Sequence, residues 1–376
     1  MKVLIAVGGG GHFSPALAVI KEMPKDWDVL LVGRKHAFEG DQALSLEYQT
    51  AQRLHLAFEA LTTGRLQRKF SGRSLLSILK IPAGFAQANM ILLRYKPDVV
   101  LSFGGYVAVP VVVAAATQRI PVVIHEQTLH AGLANKISAK FATKICLSWP
   151  ESARYFPKEK IVFTGNPLRK EFLVPAKVPS QKQANSDKLL YITGGSGGAH
   201  GINVLIAGCL EKLLEKYTII HQTGDSKRYS DFDHLKDRRS QLPEHLQKKY
   251  VLKKFIDSED VIHVLSQADL VIARSGINTV TELLYLGKPS LFIPLPYGQQ
   301  NEQAANAAFV KKNGLAEIVN QSTASSERLL ETINNMTEHL GNYTKHALDA
   351  RQLIHTDAAE NILKEVAYAK EKKSTT

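Results

Sequence analysis

Two stretches of the sequence decide the fold class: IAVGGGGH at residues 5–12 and YITGGSGG at residues 191–198. In each, an apolar segment with strand-forming residues leads into a cluster of glycines, and a segment with helical spacing follows. A strand, a glycine turn and a helix in this order open a nucleotide-binding α/β domain. Because the pattern occurs twice in 376 residues, we predict two such domains.

Short segments rich in Val and Ile recur along both halves of the chain and alternate with helical stretches. Continuously apolar segments of this kind are typical of parallel strands that are buried on both faces. The predicted strands are residues 3–7, 29–32, 98–102, 122–125, 145–148, 161–164, 189–193, 218–222, 251–255, 270–273 and 291–294. The alternation predicts an α/β protein with two Rossmann-like doubly wound domains facing a cleft.

The composition changes at residues 173–188, which are polar and contain two prolines. We interpret this segment as a linker and the start of the second domain. Predicted helices include residues 15–22, which Pro15 helps to start, residues 84–95, and residues 342–370 near the end of the chain. The predicted domains are residues 1–168 and 169–345, followed by a C-terminal helical segment at 346–376.

The composition excludes several classes of protein. Cys146 and Cys209 are the two cysteines; they cannot form a disulfide framework and lack metal-ligand spacing, which favours a reducing compartment. The N-terminus has no long apolar segment with a cleavage site, so we expect no secretory signal. No apolar stretch is long enough to span a bilayer.

The net charge of +12 is unevenly distributed. Between Ala60 and Pro97 there is no acidic residue, and lysines and arginines alternate with large apolar side chains. From Leu61 to Phe85 this mixture favours contact with an anionic membrane surface. A core helix followed by a basic loop would produce the same pattern, and both interpretations stay open. Only the net charge suggests a nucleic acid, so we expect no nucleic-acid partner.

Two side chains near predicted strand ends are candidates for a general base. His12 ends the first glycine turn, and histidine titrates near neutral pH. Glu126 follows the strand at residues 122–125, at the sheet edge where ligands bind in such folds; it is the second candidate, or it orients an acceptor. A structural role is the alternative for His12. The second strand ends in Gly33-Arg34 without an acidic residue, which disfavours a dinucleotide site.

The second half carries two helix starts that suit anions. The amides of the loop at residues 194–198 and the Ser196 hydroxyl could hold a diphosphate. A second helix start follows Arg274, at residues 277–282. Glu282 in that turn could accept hydrogen bonds from ribose hydroxyls, or act only as a partner of the helix dipole.

These motifs, in this order, resemble the MurG family of UDP-N-acetylglucosamine transferases, glycosyltransferase family 28. The resemblance covers nearly the whole chain, including HEQTLHAGLANK at residues 125–136. It implies the GT-B fold, with the C-terminal helix crossing back to the first domain. It also implies UDP-GlcNAc as donor and a polyprenyl-diphosphate-linked muramyl peptide as acceptor. The implied reaction is inverting transfer to the muramic acid C4 hydroxyl, from lipid I to lipid II, by a peripheral enzyme at the cytoplasmic face of the membrane.

The resemblance further implies roles for individual residues. Arg169 and Ile256 match nucleoside contacts, Ser196 a diphosphate contact, and Gln303 a sugar contact. No acidic metal motif such as DxD adjoins these residues in the sequence, so we predict neither a metal nor a cofactor. The residues that would contact UDP-GlcNAc are Gly9, Gly10, Gly11, Thr128, Arg169, Ser196, Ile256, Ile277, Asn278, Thr279, Val280, Thr281, Glu282 and Gln303.

Three positions depart from the family pattern. Gly9 stands in place of a threonine, Thr128 in place of an asparagine, and Gly197 in place of a glutamine. The two glycines lack the expected polar side chains but still offer backbone N–H groups, and Thr128 keeps a donor, so we expect altered affinity and altered sugar or acceptor preference. The alternative functions are a UDP-sugar 2-epimerase-like enzyme, a diverged transferase with another lipid-linked acceptor, and a non-catalytic sugar-nucleotide or membrane-binding module.

Overall fold

The structure is a computed structural model that describes residues 1–36, 43–64, 72–173, 187–195, 197–226, 228–297 and 301–374. The chain forms two compact units, Met1–Lys170 with His355–Thr376, and Glu171–Ile354. Arg169 therefore lies in the first unit. The sequence analysis predicts one C-terminal helical segment at 346–376. Residues 346–354 of that segment lie in the second unit.

The first unit contains a parallel sheet with the strand order β3-β2-β1-β4-β5-β6-β7. The succession of strands reverses between β1 and β4, and the carboxyl ends of strands at such a switch point are where doubly wound sheets bind ligands. The strands are β1 (Lys2–Ala6), β2 (Asp28–Gly33), β3 (Ala57–Ala60), β4 (Val99–Ser102), β5 (Val122–Glu126), β6 (Lys144–Leu147) and β7 (Ile161–Phe163).

The helices of the first unit cover both faces of this sheet. Short 3₁₀ helices follow β6 at Pro150–Tyr155 and Lys158–Lys160. The α-helices are α1 (Gly10–Glu22), α2 (Leu46–Arg53), α3 (Gly72–Tyr95), α4 (Ala108–Thr117), α5 (Leu133–Ser138) and, from the end of the chain, α16 (Ala358–Ser374).

The second unit repeats this design with the strand order β10-β9-β8-β11-β12-β13, all parallel. The strands are β8 (Lys188–Thr193), β9 (Tyr217–Gln222), β10 (Tyr250–Lys253), β11 (Leu270–Ala273), β12 (Ser290–Phe292) and β13 (Ala316–Ile318). The helices are α6 (Lys170–Leu173), α7 (His200–Lys216), α8 (Asp231–Ser240), α9 (Glu244–Gln247), α10 (Ser258–Gln267), α11 (Ile277–Leu286), α12 (Glu302–Lys312), α13 (Ser326–Glu338), α14 (Leu340–Thr344) and α15 (Ala347–Gln352).

The core of the first unit lies on both faces of its sheet, as the apolar strands predict. Along β1, Leu4 and Ala6 join the cluster under α3 and α4, whereas Val3 and Ile5 join the cluster on the opposite face. That second cluster includes residues of α1 and α16, with Val366 completely buried. The C-terminal helix is therefore part of the core of the first unit.

Several elements differ from the sequence predictions. The first helix begins at Gly10, so Pro15 lies inside it and does not start it. The segment 342–370 is not one helix but parts of α14, α15 and α16. Asp357 precedes α16, and its carbonyl accepts the Asn361 amide, which is where an N-cap aspartate belongs. The short strands β3 and β13 were not predicted, because neither contains an apolar run.

Candidate functional site

The first glycine turn connects β1 to α1 at the switch point of the first sheet. Gly8 contacts the backbone of Gly105 so closely that neither position has room for a Cβ. Gly9 is the N-cap of α1, and its carbonyl accepts the amides of His12 and Phe13 at 2.9 and 3.0 Å. The first turn of α1 contains no acidic residue. The helix therefore starts at the carboxyl edge of the sheet, with the positive end of its dipole at that edge.

Arg34 lies beside this turn, at the end of β2. A Cβ on Gly9 would be 2.6 Å from Arg34 Nη2, so the guanidinium occupies the place of a side chain at position 9. Arg34 Nε is 3.5 Å from Oε1 of the buried Glu47. The guanidinium thus places a cation next to the Gly9 backbone, at the position where a dinucleotide site would have a carboxylate.

His12 lies in the first turn of α1 and is partly buried. Burial lowers the pKa of His12, a hydrogen bond with the Phe103 backbone opposes this, and the nearby Arg34 charge lowers the pKa further. The side-chain amide of Gln127 is 3.4 Å from His12 Nδ1. His12 is therefore held in its neutral form near neutral pH, the form that a general base requires.

Glu126 ends β5 and is only 2% exposed. Its Oε1 is 3.0 Å from the Thr128 amide and 2.7 Å from the Thr128 hydroxyl. Its Oε2 accepts the Gly132 amide at 3.1 Å and Asn135 Nδ2 at 3.0 Å. Both carboxyl oxygens are thus engaged by the turn that follows the strand, and the Thr128 side chain is buried against Glu126.

His125 connects three segments of the first unit. Its Nε2 is 3.1 Å from the Gly165 carbonyl and 3.0 Å from Ser148 Oγ, and its own carbonyl accepts Asn135 Nδ2 at 3.1 Å. Burial lowers the pKa of His125 to about 4. His125 is therefore a neutral structural histidine at the edge of the sheet.

The second glycine loop connects β8 to α7. The Gly195 amide donates to Thr193 Oγ1 at 3.0 Å, and Gln222 Nε2 donates to the Gly195 carbonyl at 3.2 Å. Gly198 has a φ of +71° and touches the Thr223 backbone, so a side chain does not fit there. Ser196 lies outside the described residues. The loop is thus anchored on both sides by β8 and β9.

A buried polar network lies behind this loop. Asp231 accepts Asn203 Nδ2 at 2.8 Å and is 2.7 Å from His200 Nδ1. Asn203 Oδ1 is 3.0 Å from His221 Nε2, and His221 Nδ1 is 2.9 Å from the Tyr250 hydroxyl. Burial lowers the pKa of His221 to about 3. The network joins the start of α7 to β9, β10 and α8.

The helix start at residues 277–282 contains both buried side chains and partly exposed ones. Ile277, Val280 and Thr281 are buried, and the Thr281 hydroxyl donates to the Ile277 carbonyl at 2.9 Å. These three residues can therefore offer only backbone groups to a ligand. Asn278, Thr279 and Glu282 are partly exposed. The N-cap is Gly276, which has no side chain to cap the helix.

Arg274 and Gln303 tie the neighbouring turns of the second unit together. Arg274 Nη1 donates to the Ile293 carbonyl at 2.7 Å, and burial lowers the pKa of Arg274 to about 10. Gln303 Oε1 accepts the Leu295 amide at 2.9 Å, and the Ser275 hydroxyl donates to the Gln303 carbonyl at 2.7 Å. These residues bring the turns after β11 and β12 next to the start of α12.

Two further residues that were predicted to contact the nucleoside, Ile256 and Arg169, are partly exposed. Ile256 follows β10, and Arg169 follows β7 in the first unit. Those predicted contacts that the structure describes lie on turns that follow strands or in the first two turns of a helix. Sequence reasoning did not single out Arg34 as a site residue, nor Gln127 or Asn135. The motif HEQ at residues 125–127 was the available signal for Gln127.

The sequence and the structure were compared with known proteins. The glycosyltransferase family 28 N-terminal domain matches residues 3–147, and the glycosyltransferase family 28 C-terminal domain matches residues 189–362. The chain is 33% identical over 362 residues to a Clostridium botulinum (strain Loch Maree / Type A3) protein, across 93% of this chain and 96% of that protein. That relative is named UDP-N-acetylglucosamine--N-acetylmuramyl-(pentapeptide) pyrophosphoryl-undecaprenol N-acetylglucosamine transferase.

A Lachnoclostridium phytofermentans protein of the same name is 32% identical over 374 residues, across 97% of this chain and 99% of that protein. Among solved structures, Acinetobacter baumannii MurG has a TM-score of 0.72 at 26% identity, over 98% of this chain and 99% of that chain. UDP-GlcNAc 2-epimerase from Neisseria meningitidis has a TM-score of 0.63 at 16% identity, over 97% and 99%, and shares the fold alone. The predicted GT-B fold with two Rossmann-like domains is confirmed, and the chain belongs to glycosyltransferase family 28.

Proposed function

We propose that the protein transfers N-acetylglucosamine from UDP-GlcNAc to the C4 hydroxyl of the muramic acid in undecaprenyl-diphosphate-linked MurNAc-pentapeptide, with inversion. The observation that carries this proposal is the near full-length similarity to relatives named for that transfer. Acinetobacter baumannii MurG, with a TM-score of 0.72, supports the same function.

The second unit is the proposed donor site. The amides at the start of α11 would receive the diphosphate, together with the Ser196 loop. Arg274 precedes that helix start, and the described partner of its guanidinium is the neutral Ile293 carbonyl. Since a carbonyl does not neutralise the charge, the guanidinium would add positive charge to the site. Glu282 would accept the ribose hydroxyls, and Ile256 would contact the nucleoside. Gln303 Oε1 already accepts the Leu295 amide, which leaves its Nε2 to donate to the sugar.

The proposed general base is His12. As the acceptor oxygen attacks the anomeric carbon, His12 would take the hydroxyl proton, and the bond between that carbon and the diphosphate oxygen would break. The leaving UDP would keep the electron pair, and helix-start amides and Arg274 would stabilise its charge. The lowered pKa of His12 supports this role because the imidazole is neutral at neutral pH. We predict that the reaction needs no metal.

The structure favours a membrane contact on α3 that lies further along the chain than the patch predicted at Leu61–Phe85. Leu61 is buried, and Phe85 packs against the core of the first unit, so the two ends of the predicted patch do not face outward. Within that patch, residues 65–71 and the side chains of residues 72–79 lie outside what the structure describes. Further along α3, Met90 and Leu93 are each 63% exposed, and Arg94 follows them. We propose that this part of α3 contacts anionic lipid. Among the described residues, no helix combines the length and apolarity that crossing a membrane requires.

The experiment that tests the function measures radiolabelled transfer from UDP-GlcNAc to a lipid I analogue, with UDP-GalNAc as competing donor. Labelled lipid product from UDP-GlcNAc is expected. A parallel incubation with UDP-GlcNAc and no acceptor tests the 2-epimerase alternative, for which the structural similarity is one of fold alone. Absence of lipid product from either donor, or epimer formation without acceptor, would refute the proposed transfer.

A further inference from the structure

The Thr128 hydroxyl has two short contacts that one hydrogen cannot serve. Its Oγ1 is 2.7 Å from Glu126 Oε1 and 2.7 Å from the His130 carbonyl oxygen. A hydroxyl carries one hydrogen, and an ionised carboxylate and a carbonyl both only accept. Two short, linear hydrogen bonds at this oxygen therefore need a second hydrogen. The carbonyl has none, whereas a carboxyl group supplies one when it is protonated.

We propose that Glu126 is a neutral carboxylic acid in the folded protein and that it donates its proton to Thr128, which donates in turn to the His130 carbonyl. This chain of two hydrogen bonds fixes the turn at residues 126–132. Glu126 is then a positioning residue for His12 and not a base. The role in catalysis rests on the proposed function, whereas the protonation state does not.

The other hydrogen bonds of Glu126 fit a neutral acid. The hydroxyl oxygen Oε1 accepts the Thr128 amide at 3.0 Å while it donates to Thr128 Oγ1. The carbonyl oxygen Oε2 accepts the Gly132 amide at 3.1 Å and Asn135 Nδ2 at 3.0 Å. Each hydrogen then has one acceptor, and no two acceptors face each other. Burial has the largest effect on the pKa of Glu126, and it raises that pKa.

Two of the charged side chains on the elements around β5 have partners other than Glu126. Lys136 Nζ lies 4.1 Å from the centre of the Tyr155 ring, and Lys144 pairs with Glu365 at 4.0 Å. The neighbouring His125 is kept neutral by burial. Apart from Glu126, the described titratable side chains on β5, α5, β6, α16 and the turn are His125, His130, Lys136, Lys144, Cys146, Glu360, Lys364, Glu365, Tyr368, Lys370, Glu371 and Lys372.

The turn connects Glu126 to His12 through Gln127. The Gln127 carbonyl accepts Trp149 Nε1 at 3.0 Å, and its side-chain amide is 3.4 Å from His12 Nδ1. Gln127 lies between Glu126 and Thr128 in the sequence. The chain of two hydrogen bonds therefore fixes the backbone position of Gln127, whose side chain lies next to the His12 imidazole. The oxygens of Glu126 are engaged by Thr128, Gly132 and Asn135, which favours His12 as the group that takes the acceptor's proton.

The direct test is carboxyl NMR of the protein labelled with ¹³C at the glutamate side-chain carboxyl, with the Glu126 signal assigned by its loss in Glu126→Gln. The expected result is the chemical shift of a protonated carboxyl at neutral pH. Thr128→Val removes the hydroxyl but keeps the shape, so the Glu126 proton loses its acceptor and the carboxyl should ionise at lower pH. Thr117→Val on α4 is the matched control and should leave the signal unchanged. A carboxylate shift at neutral pH in the unmodified protein would overturn the proposal.

A kinetic measurement separates positioning from base catalysis. In Glu126→Gln, the amide can donate to Thr128 Oγ1 in place of the acid, so kcat should fall by less than about tenfold. The acidic limb of kcat/KM against pH, which follows His12, should remain. A loss of about a hundredfold or more in kcat, with disappearance of the limb, would identify Glu126 as the base. The NMR experiment needs no substrate, so its result stands even if the proposed transfer fails.

Discussion

The guanidinium of Arg34 fills the space beside Gly9, where a Cβ would come within 2.6 Å of Arg34 Nη2. Gly9 also has a φ of +119°, which residues with a side chain rarely adopt. The family pattern has a threonine at this position, and two features of this chain exclude one in the observed conformation. The glycine at position 9 and Arg34 therefore depend on each other. The Arg34 guanidinium occupies the space that the threonine side chain of the family pattern would need.

Gly9→Ala should destabilise the first unit by about 2–3 kcal/mol, because backbone strain and the contact with Arg34 add together. Urea unfolding measures the change. Gly11→Ala is the matched control for stability, since a Cβ there has no described neighbour within 4 Å. Adding Arg34→Ala to Gly9→Ala should recover the part of the lost free energy of unfolding that comes from the contact with Arg34, but not the part that comes from backbone strain. Equal stability of Gly9→Ala and Gly11→Ala would contradict the proposed constraint.

Arg34→Gln should move the acidic limb of kcat/KM to higher pH. The charge of Arg34 lowers the pKa of His12, so its removal raises that pKa, and a higher pH is then needed to obtain the neutral base. The displacement should be up to about one pH unit. Arg34→Lys keeps the charge and should keep the limb closer to its original position. An unchanged profile in Arg34→Gln would show that another group sets this limb.

The stability of the protein should fall as the pH falls below about 6.5. Burial lowers the pKa of His221 to about 3 and that of His125 to about 4. The unfolded chain therefore binds protons that the folded state does not, and stability is lost between the unfolded and folded pKa values. From pH 6.5 to 5 each histidine should contribute about 2 kcal/mol of this loss.

His221→Asn should remove the contribution of His221 to this pH dependence. The variant is expected to be less stable at neutral pH, because His221 bridges Asn203 and Tyr250. Its free energy of unfolding should nevertheless fall less steeply between pH 6.5 and 5. Denaturant unfolding across this range checks the slope. An unaltered slope would mean that His221 is protonated equally in both states.

Gln303→Glu should raise the KM for UDP-GlcNAc by about tenfold, with a smaller change in stability. The new carboxylate can still accept the Leu295 amide through one oxygen. It replaces the donor Nε2 with an acceptor, so a sugar oxygen loses its partner. Gln241→Glu, at the exposed end of α8, controls for the added charge. If both variants have the same KM, Gln303 does not donate to the sugar.

Met90→Ser with Leu93→Ser should weaken sedimentation with anionic lipid vesicles by at least about tenfold, because two exposed apolar side chains of α3 are lost. The protein should retain its fold, since neither side chain is buried. Leu348→Ser removes an apolar side chain that is 73% exposed on α15 and serves as control. Equal binding by the variant and the control would exclude this part of α3 as the membrane surface.

Much of the architecture was predictable from local sequence. The apolar runs that became β1, β4, β5 and β11 are buried on both faces, and that burial leaves a continuous pattern in the sequence. The edge strands β3 and β13 were missed because an edge strand is covered on fewer sides and needs no apolar run. The break before α16 was missed although Asp357 is a signal for a helix start, because helical spacing continues on both sides of it.

The sequence by itself determined the two glycine turns, the switch points that follow from them and the family, because these depend on neighbouring residues and their order. Tertiary structure alone decided what surrounds the candidate base. Arg34 reaches Gly9 from the next strand, and Gln127 reaches His12 across 115 positions of the chain. Glu126 looked like a base at a strand end, and only the positions of Thr128 and His130 around it make it a neutral acid. Protonation depends on burial and on the direction of hydrogen bonds, which no local pattern records.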